Sequence, residues 1–316
     1  MSSAPERPFG ALLTAMVTPF SADGALDLAG AQQLAEHLIA TGHDGIVVSG
    51  TTGESPVTTD GEKLALLRAV IEAAAGRAKI VAGVGSNDTR HTIEAAESAA
   101  KAGADGLLVV TPYYNKPPAS SLLAHFTAVA DATDVPVMLY DIPGRAGVRI
   151  GTPVLRSLAE HPRIAAVKDA TGDLSAGVEV MAETGLVYYS GDDALNLAWL
   201  AVGASGLVSV VSQIDGGPDR DMIAAVDAGD LATARAIDRQ SLPLIRVIMN
   251  ARSQGAIRAK AALQSLGVIG TRTTRLPLLP ADAGEVEEIV KVLAARGLDR
   301  VPPVRAHDGT SRKMMR

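Results

Sequence analysis

A single lysine inside an apolar run is the residue with the clearest potential for chemistry. The chain has eight lysines, and Lys168 lies within the run Ile164–Asp169. Side chains of a strand alternate between two faces, so Lys168 shares its face with the small Ala166 and Ala170. Enclosure of that face would disfavour the ammonium and lower its pKa, which an amine nucleophile needs. On residue type alone, a buried lysine that pairs with a carboxylate is the more common arrangement.

Three other sets of polar side chains follow apolar runs. Tyr140 ends one run, and a phenol there can move a proton to and from an imine. Thr51 and Thr52 lie in a Gly-rich turn, and their hydroxyls can bind a carboxylate or relay a proton. Arg145 lies in a loop beyond Tyr140, where a guanidinium could grip a carboxylate. The structural alternatives are a core tyrosine, helix-capping threonines and a solvated arginine. Lys260 lies in an apolar helical segment, and we expect its head to reach solvent.

Composition excludes several classes of chemistry and partner. Cysteine is absent, so neither a disulfide nor a thiolate nucleophile is possible. The six histidines form no H-x-H or H-x-x-x-H pair, which argues against a zinc site. The sequence contains no P-loop and no G-x-S-x-G elbow. The net charge is −6, which argues against a nucleic-acid or membrane-surface partner.

Eight short apolar runs, each followed by a helical pattern, must position these side chains. The runs are Leu13–Thr18, Gly45–Ser49, Lys79–Gly83, Gly106–Thr111, Val137–Ile142, Ile164–Asp169, Leu186–Ser190 and Gly206–Val211. Such alternation predicts a parallel sheet, and eight units favour a closed α/β barrel, a (β/α)₈ TIM barrel, over a doubly wound sheet. No G-x-G-x-x-G follows a strand, which further weakens the dinucleotide-binding alternative. In a barrel, the carboxyl ends of the strands meet at one rim, where active sites form.

We predict three parts in the chain: a catalytic barrel over 1–229, a helical domain over 230–298 and a loose tail over 299–316. The helical domain is predicted from Asp230–Asn250, Gly255–Leu266 and Gly284–Arg296. The stretch 212–218 after the eighth run is unusually polar, and its contacts cannot be read from the sequence. The chain opens without the pattern of a signal peptide, and no apolar run approaches ~18 residues. We therefore expect a cytoplasmic protein.

Five motifs together resemble the dihydrodipicolinate synthase family. They are GTTGES from residue 50, TPYYNKP from 111, YDIPGRAG from 140, VKDATGD from 167 and SGDD from 190. The resemblance runs from Leu12 to Leu298, although the first and fourth motifs are shared by the wider class I pyruvate-lyase superfamily. It implies condensation of pyruvate with L-aspartate-4-semialdehyde, in lysine and diaminopimelate synthesis, through a Schiff base on Lys168.

The resemblance also implies roles for the other residues. Thr52 and Tyr140 would relay protons together with Tyr114 from a neighbouring subunit, and Thr51 would bind the pyruvate carboxylate. Arg145 would hold the carboxylate of the semialdehyde. Gly191 and Val208 would approach pyruvate through their backbones. The family implies a homotetramer, a dimer of dimers, with no metal or organic cofactor.

Two alternatives remain open from the sequence. A sibling aldolase or dehydratase would act on a sugar acid, and a polyol substrate would need several hydroxyl partners in place of the one clamp that Arg145 offers. A non-catalytic paralogue would keep the barrel as a binding or regulatory protein. Retention of Lys168, the tyrosines and the threonines argues against that paralogue.

Lysine inhibition provides the first testable prediction. In lysine-sensitive members of the family the effector lies at a subunit interface. The matching positions are Ser55, Pro56, Asp60, Lys63, Asn87, His91 and Tyr113. His91 stands where sensitive enzymes carry a glutamate, and Lys63 stands where they carry a histidine. A cationic effector then meets a like charge, which repels by about 1 kcal/mol at ~4 Å in water and several-fold more near a protein surface.

We therefore expect catalytic activity to be nearly unchanged by millimolar L-lysine. An inhibition curve in the presence of saturating substrates measures this. A midpoint below one millimolar, or lysine bound beside His91 in a crystal soaked at low concentration, would contradict it.

Overall fold

Eight parallel strands close into one barrel in chain order, and the last strand pairs with the first. The computed structural model describes residues 7–250 and 254–298. The strands are β1 (Leu12–Ala15), β2 (Gly45–Val48), β3 (Lys79–Gly83), β4 (Gly106–Val110), β5 (Val137–Asp141), β6 (Ile164–Asp169), β7 (Val187–Ser190) and β8 (Gly206–Ser209). Their nearly continuous apolar sequences fit strands that are buried on both faces.

Helices connect the strands and continue beyond the barrel. They are α1 (Leu28–Ala40), α2 (Asp60–Ala74), α3 (Thr89–Ala102), α4 (Ala119–Asp131), α5 (Pro143–Ala146), α6 (Thr152–Ala159), α7 (Leu174–Glu183), α8 (Asn196–Ala201), α9 (Gly217–Asp227), α10 (Leu231–Ile248), α11 (Gly255–Ser265) and α12 (Ala283–Ala295). Thr59 caps α2 in a reciprocal box with Glu62, and Gly103 ends α3 at φ 95°. Both capping residues are predictable from their types.

The predicted barrel and C-terminal helices are confirmed, with differences at the strand ends. The predicted runs Leu13–Thr18 and Gly206–Val211 extend too far, because β1 ends at Ala15 and β8 at Ser209. The chain remains apolar and buried beyond the last paired residue. Hydrophobicity therefore does not mark where pairing stops.

The C-terminal helices pack on one another, with α10 against α9 and α12, and α11 against α12. The boundary between residues 229 and 230 stays a prediction. The predicted tail over 299–316 lies outside the described residues. No helix within the described ranges is long and apolar enough to cross a membrane.

Two buried polar side chains begin the stretch 212–218. Ser212 and Gln213 are both fully buried. The side chain of Gln213 accepts from the Val17 amide at 3.1 Å and donates to the Val210 carbonyl at 2.8 Å. Ser212 bonds the His43 ring at 3.0 Å. Gln213 thus satisfies backbone groups that have left the strand ladder, and Ser212 gives the buried His43 ring a partner, which explains why these two positions are polar.

The packing of α7 on α8 yields a stability prediction. A Cβ at Gly177 would lie 2.3 Å from the Trp199 ring, and Trp199 is fully buried and stacked on Tyr188. We expect Gly177→Ala to lower the free energy of unfolding by about 1–3 kcal/mol, because overpacking outweighs the helix propensity of alanine.

Chemical denaturation of Gly177→Ala and of the control Gly185→Ala measures the difference. Nothing lies within 4 Å of a Cβ at Gly185, so this control separates crowding from the general effect of replacing glycine. A Gly177→Ala protein as stable as the wild type would show that the α7–α8 contact is loose.

Candidate active site

Lys168 and Tyr140 lie side by side inside the barrel. They are register partners on β6 and β5, so the parallel ladder places one next to the other. Lys168 is 3% exposed and Tyr140 is 4% exposed. The Lys168 Nζ lies 4.2 Å from the centroid of the Tyr140 ring. A cation over a ring face is attracted by the ring quadrupole, so Tyr140 provides a soft contact for the ammonium.

The electrostatics of the barrel make the Lys168 ammonium easier to deprotonate than that of an ordinary lysine. Burial lowers the pKa of Lys168 to about 8, with Arg145 acting in the same direction and Asp193 in the opposite one. Among the described residues Lys168 forms no ion pair. A buried lysine is more often paired with a carboxylate, as Lys260 is with Glu54. With a pKa of about 8, roughly a tenth of the amine is neutral at pH 7, and the neutral amine is the nucleophile.

Asp193 is a functional neighbour that sequence reasoning missed. It is 2% exposed, and it accepts from the Ser209 hydroxyl and from the Val210 and Val211 amides at 3.0 and 3.4 Å. Burial raises its pKa. The SGDD motif contains two aspartates, and nothing in the sequence indicates that Asp193, rather than Asp192, turns toward Lys168.

Gly191 closes the site beside the lysine. A Cβ there would lie 2.9 Å from the Lys168 Cε and 2.9 Å from the Asp169 carbonyl oxygen. The carbonyl belongs to the backbone and cannot move away at little cost, so a side chain at this position would crowd the lysine. Val208 is fully buried on β8, which is separated from β6 by β7.

Tyr140 is held as a neutral phenol. Burial raises its pKa to about 12, while the Thr51 side chain and Arg145 act to lower it. A phenol of this kind donates its proton only to a strong base or through a chain of hydroxyls. Thr51 supplies the nearest hydroxyl of such a chain, and Thr52 is buried beside it.

A cavity of about 370 Å³ opens above the barrel mouth. Its lining includes Tyr140, Thr51, Arg145, Tyr113 and Tyr114. The structure therefore brings residues from the ends of β2, β4 and β5 to one space, as the sequence predicted. Tyr114 is 88% exposed, with a left-handed backbone at φ 72°. It borders the cavity from the outside rather than from within the core.

Arg145 reaches the cavity from α5, the short helix beyond β5. Its Nη1 donates to the Gln254 side-chain oxygen at 3.1 Å. The neighbouring Gly144 has nothing within 4 Å of the position of a Cβ, so the arginine loop is not crowded. The guanidinium carries the positive charge expected of a carboxylate clamp.

The expectation for Lys260 is wrong. Its head does not reach solvent: Lys260 is fully buried and forms an ion pair with Glu54. Glu54 belongs to the GTTGES turn and lies 206 positions away in sequence. The helical pattern around Lys260 gives no sign of a carboxylate supplied by so distant a segment.

The predicted effector positions fall into two places. Asp60, Lys63 and His91 border a second cavity of about 320 Å³. The Asp60 carboxylate accepts from the His91 ring at 2.9 Å and lies 3.4 Å from the Lys63 ammonium. Asp60 is thus already engaged by two basic groups, which strengthens the expectation of weak lysine binding. Tyr113 lines the first cavity instead.

Comparison with known proteins identifies the family. A model of the dihydrodipicolinate synthetase family matches residues 8–296. The chain belongs to this family. A 4-hydroxy-tetrahydrodipicolinate synthase of Kineococcus radiotolerans is 59% identical over 94% of this chain and 96% of the relative. One of Mycolicibacterium paratuberculosis is 53% identical over 94% and 98% of the two chains.

Solved structures agree with this family membership. The synthase of Cyanidioschyzon merolae, solved with lysine bound, matches with a TM-score of 0.89 and 41% identity over 93% of this chain and 100% of the other. A synthase of Bacillus anthracis gives 0.87 and 40% over 91% and 98%. The family resemblance inferred from the motifs and the barrel inferred from the eight apolar runs are therefore both confirmed.

The lowered pKa of Lys168 predicts how imine formation responds to pH. The rate at which borohydride traps a pyruvate adduct should rise with pH and reach half its maximum near pH 8, because only the neutral amine attacks. An ordinary lysine would reach that point near pH ~10.4. Rapid-quench mass spectrometry across pH 6–11 measures the curve.

Asp193→Asn is the matched variant. The Asp193 charge favours the ammonium of Lys168, so its removal should shift the midpoint to lower pH. A wild-type midpoint above pH 10, or a shift to higher pH in the variant, would contradict the electrostatic description.

Proposed function

We propose that this chain is a Schiff-base lyase that condenses pyruvate with L-aspartate-4-semialdehyde to give 4-hydroxy-tetrahydrodipicolinate, a step of lysine and diaminopimelate synthesis. The observation that carries the proposal is the buried Lys168 amine, with a pKa lowered to about 8 and its Nζ over the Tyr140 ring. The curated relatives at 53–59% identity bear the name of that synthase.

Lys168 attacks first. Its neutral amine adds to the keto carbon of pyruvate, and loss of water leaves an imine. The imine withdraws electrons, so a methyl proton is lost and an enamine forms. The enamine carbon attacks the aldehyde and makes the new carbon–carbon bond. The amino group of the semialdehyde then attacks the imine carbon, closes the ring and releases Lys168.

Proton transfers in these steps are assigned to Tyr140, Thr52 and Tyr114. Tyr140 is the register partner of Lys168 on the neighbouring strand, and its hydroxyl interacts with the Thr51 side chain, which supports a role in protonating and deprotonating the imine intermediates. Tyr114 would come from a neighbouring subunit. A tyrosine that is 88% exposed at the rim of its own cavity is well placed to be covered by a second copy, because large exposed aromatic side chains are typical of interfaces.

Four further residues would hold the substrates. Thr51 lines the cavity beside Tyr140, where its hydroxyl would donate to the pyruvate carboxylate. Arg145 would hold the carboxylate of the semialdehyde in a charge-assisted pair. Gly191 and Val208 would present backbone groups to pyruvate, and the closeness of Gly191 to the Lys168 side chain supports its part.

We assign no cofactor, because the covalent imine on Lys168 supplies the electron sink. Among the described residues no cluster of three or more His, Asp or Glu side chains could hold a metal ion. We further propose a cytoplasmic homotetramer, arranged as a dimer of dimers, with pyruvate and the semialdehyde as its small-molecule partners. Neither nucleic acid nor membrane is among the partners.

A coupled assay with pyruvate and a panel of aldehydes tests the function. The panel contains aspartate semialdehyde and the aldehydes released from sugar acids. In the presence of pyruvate, we expect turnover with aspartate semialdehyde and with no other aldehyde of the panel. Preferential turnover of a sugar-derived aldehyde would favour a sibling aldolase, and a wild-type chain with no turnover at all would favour a non-catalytic paralogue.

Arg145→Ala separates the two substrates. We expect a loss of about 2–4 kcal/mol in transition-state binding for the semialdehyde, with imine formation from pyruvate largely intact. Steady-state kinetics with each substrate varied in turn measures this. Arg149→Ala is the control, because Arg149 lies just beyond α5 and pairs with Asp173 at 3.1 Å. A variant that fails to form the imine but uses the aldehyde normally would contradict the assignment of Arg145.

A subunit-mixing experiment tests the placement of Tyr114. Tyr114→Phe should lower activity, and exchange with Lys168→Ala subunits should restore activity above that of either parent. In such hybrids one site combines Lys168 of the first chain with Tyr114 of the second. The control mixes Lys168→Ala subunits with subunits that carry both Tyr114→Phe and Lys168→Ala. No site in that mixture contains Lys168, so no activity should return. Failure of the first mixture to exceed its parents, once exchange is complete, would contradict a shared site.

A further inference from the structure

A buried ion pair links the C-terminal helices to the turn that carries the two threonines. Lys260 of α11 and Glu54 of the turn form this pair, and both side chains are completely buried. The Lys260 ammonium also donates to the Thr273 carbonyl at 2.8 Å and lies 4.2 Å from the centroid of the Phe20 ring. The ammonium therefore has defined partners on several sides.

The second oxygen of Glu54 is also engaged. It accepts from the Arg275 backbone amide at 2.9 Å. The Arg275 guanidinium forms a fork onto Glu62 at 2.6 and 2.9 Å and donates to the Val57 carbonyl at 3.0 Å. Its centre lies 4.4 Å from the centroid of the Phe20 ring. Glu54 and the segment that follows it are thus tied to the chain after α11.

The turn itself has a backbone that needs such support. Ser49 and Glu54, at its two ends, lie in the left-handed region at φ 55° and 54°. Residues with side chains avoid this region, and they remain there only where surrounding contacts impose it. Two internal bonds close the turn, from the Gly53 amide to the Gly50 carbonyl and from the Glu54 amide to the Thr51 carbonyl, both 3.1 Å.

A buried ion pair such as that of Lys260 with Glu54 is not an efficient way to raise the free energy of unfolding. Removing two charges from water is costly, and well-packed apolar residues of similar volume are often as stabilising. An ion pair does fix orientation, because the Glu54 carboxylate must face the Lys260 ammonium and the Arg275 amide at the same time. Here that orientation fixes the residue that follows Thr51 and Thr52 by only two or three positions.

We propose that Glu54 and Lys260 are positioning residues, whose ion pair holds the turn 49–54 in the left-handed conformation that presents Thr51 to the substrate cavity. The proposal rests on the function proposed above, in which Thr51 binds the pyruvate carboxylate. It assigns the C-terminal helices a part in the reaction, although none of their residues needs to touch the substrate.

The proposal predicts a split between the two substrates. A displaced turn moves Thr51 and Thr52 directly, whereas α5 carries Arg145, which meets the C-terminal helices through its bond to Gln254 rather than through the turn. Pyruvate binding should therefore weaken while semialdehyde binding persists. A purely structural role would lower the melting temperature and the fraction of active enzyme, with both KM values unchanged.

Three variants test this: Glu54→Gln, Lys260→Met and the double variant. The matched control is the double variant Glu287→Gln with Lys291→Met. It removes the same two residue types from an ion pair of α12 whose side chains are 68% and 72% exposed. Thermal unfolding, active-site titration by the borohydride-trapped pyruvate adduct, and KM and kcat for each substrate are measured for every protein.

Lys260→Met should unfold at the lowest temperature, because it leaves the Glu54 charge buried without its partner. The double variant should recover much of that loss, since both charges leave together. Its KM for pyruvate should nevertheless stay raised about 10-fold or more, with kcat per titrated site lowered, because a small misplacement of a binding group has large kinetic effects. Its KM for the semialdehyde should change less than about 2-fold, and the α12 control should match the wild type.

The outcomes separate the two proposals. A folded double variant with wild-type KM and kcat per titrated site would overturn the positioning role. So would failure of all three variants to fold while the control folds, because the pair would then be a folding element only. A wild-type chain without any pyruvate adduct would instead overturn the proposed function, and the positioning role with it.

Discussion

Desolvation of one amine is the constraint on which the rest of the site depends. Lys168 is enclosed by the barrel, with the Tyr140 ring 4.2 Å from its Nζ and no carboxylate paired with it among the described residues. Burial without an ion pair leaves the ammonium under-stabilised, so its pKa falls to about 8. Gly191 keeps the space around the side chain free of a Cβ, and the charge of Asp193 limits how far the pKa of Lys168 falls.

Lys168 of the barrel and Lys260 of the C-terminal helices are both buried, and they differ in whether a carboxylate pairs with the ammonium. Lys260 is as thoroughly buried as Lys168, and burial is the main cause that lowers the pKa of each. Lys260, however, has a carboxylate and a carbonyl within hydrogen-bonding distance, which hold it as a fixed cation. The unpaired lysine is suited to chemistry, and the paired lysine is suited to holding a turn.

The sequence predicted the elements well because they depend on local pattern. Apolar runs such as Ile164–Asp169 mark buried strands, and β6 has those bounds. The convergence of Thr51, Tyr140 and Arg145 followed from strand order alone. Contacts between distant segments were missed: the pairing of Lys260 with Glu54 and the inward turn of Asp193 depend on tertiary packing, which periodicity does not encode. The predicted ends of β1 and β8 were wrong for a related reason, because the buried segments that follow these strands are as apolar as the strands themselves.

Peptide mapping of the borohydride-reduced pyruvate adduct tests the central claim most directly. The chain is incubated with pyruvate, reduced, digested and examined by mass spectrometry. We expect one adduct, on the peptide that contains Lys168, and none on the peptide that contains Lys260, because the Lys260 ammonium is held by Glu54. An adduct on Lys260 or on the exposed Lys79, or the absence of any adduct, would contradict the claim that an unpaired, desolvated amine at Lys168 starts the reaction.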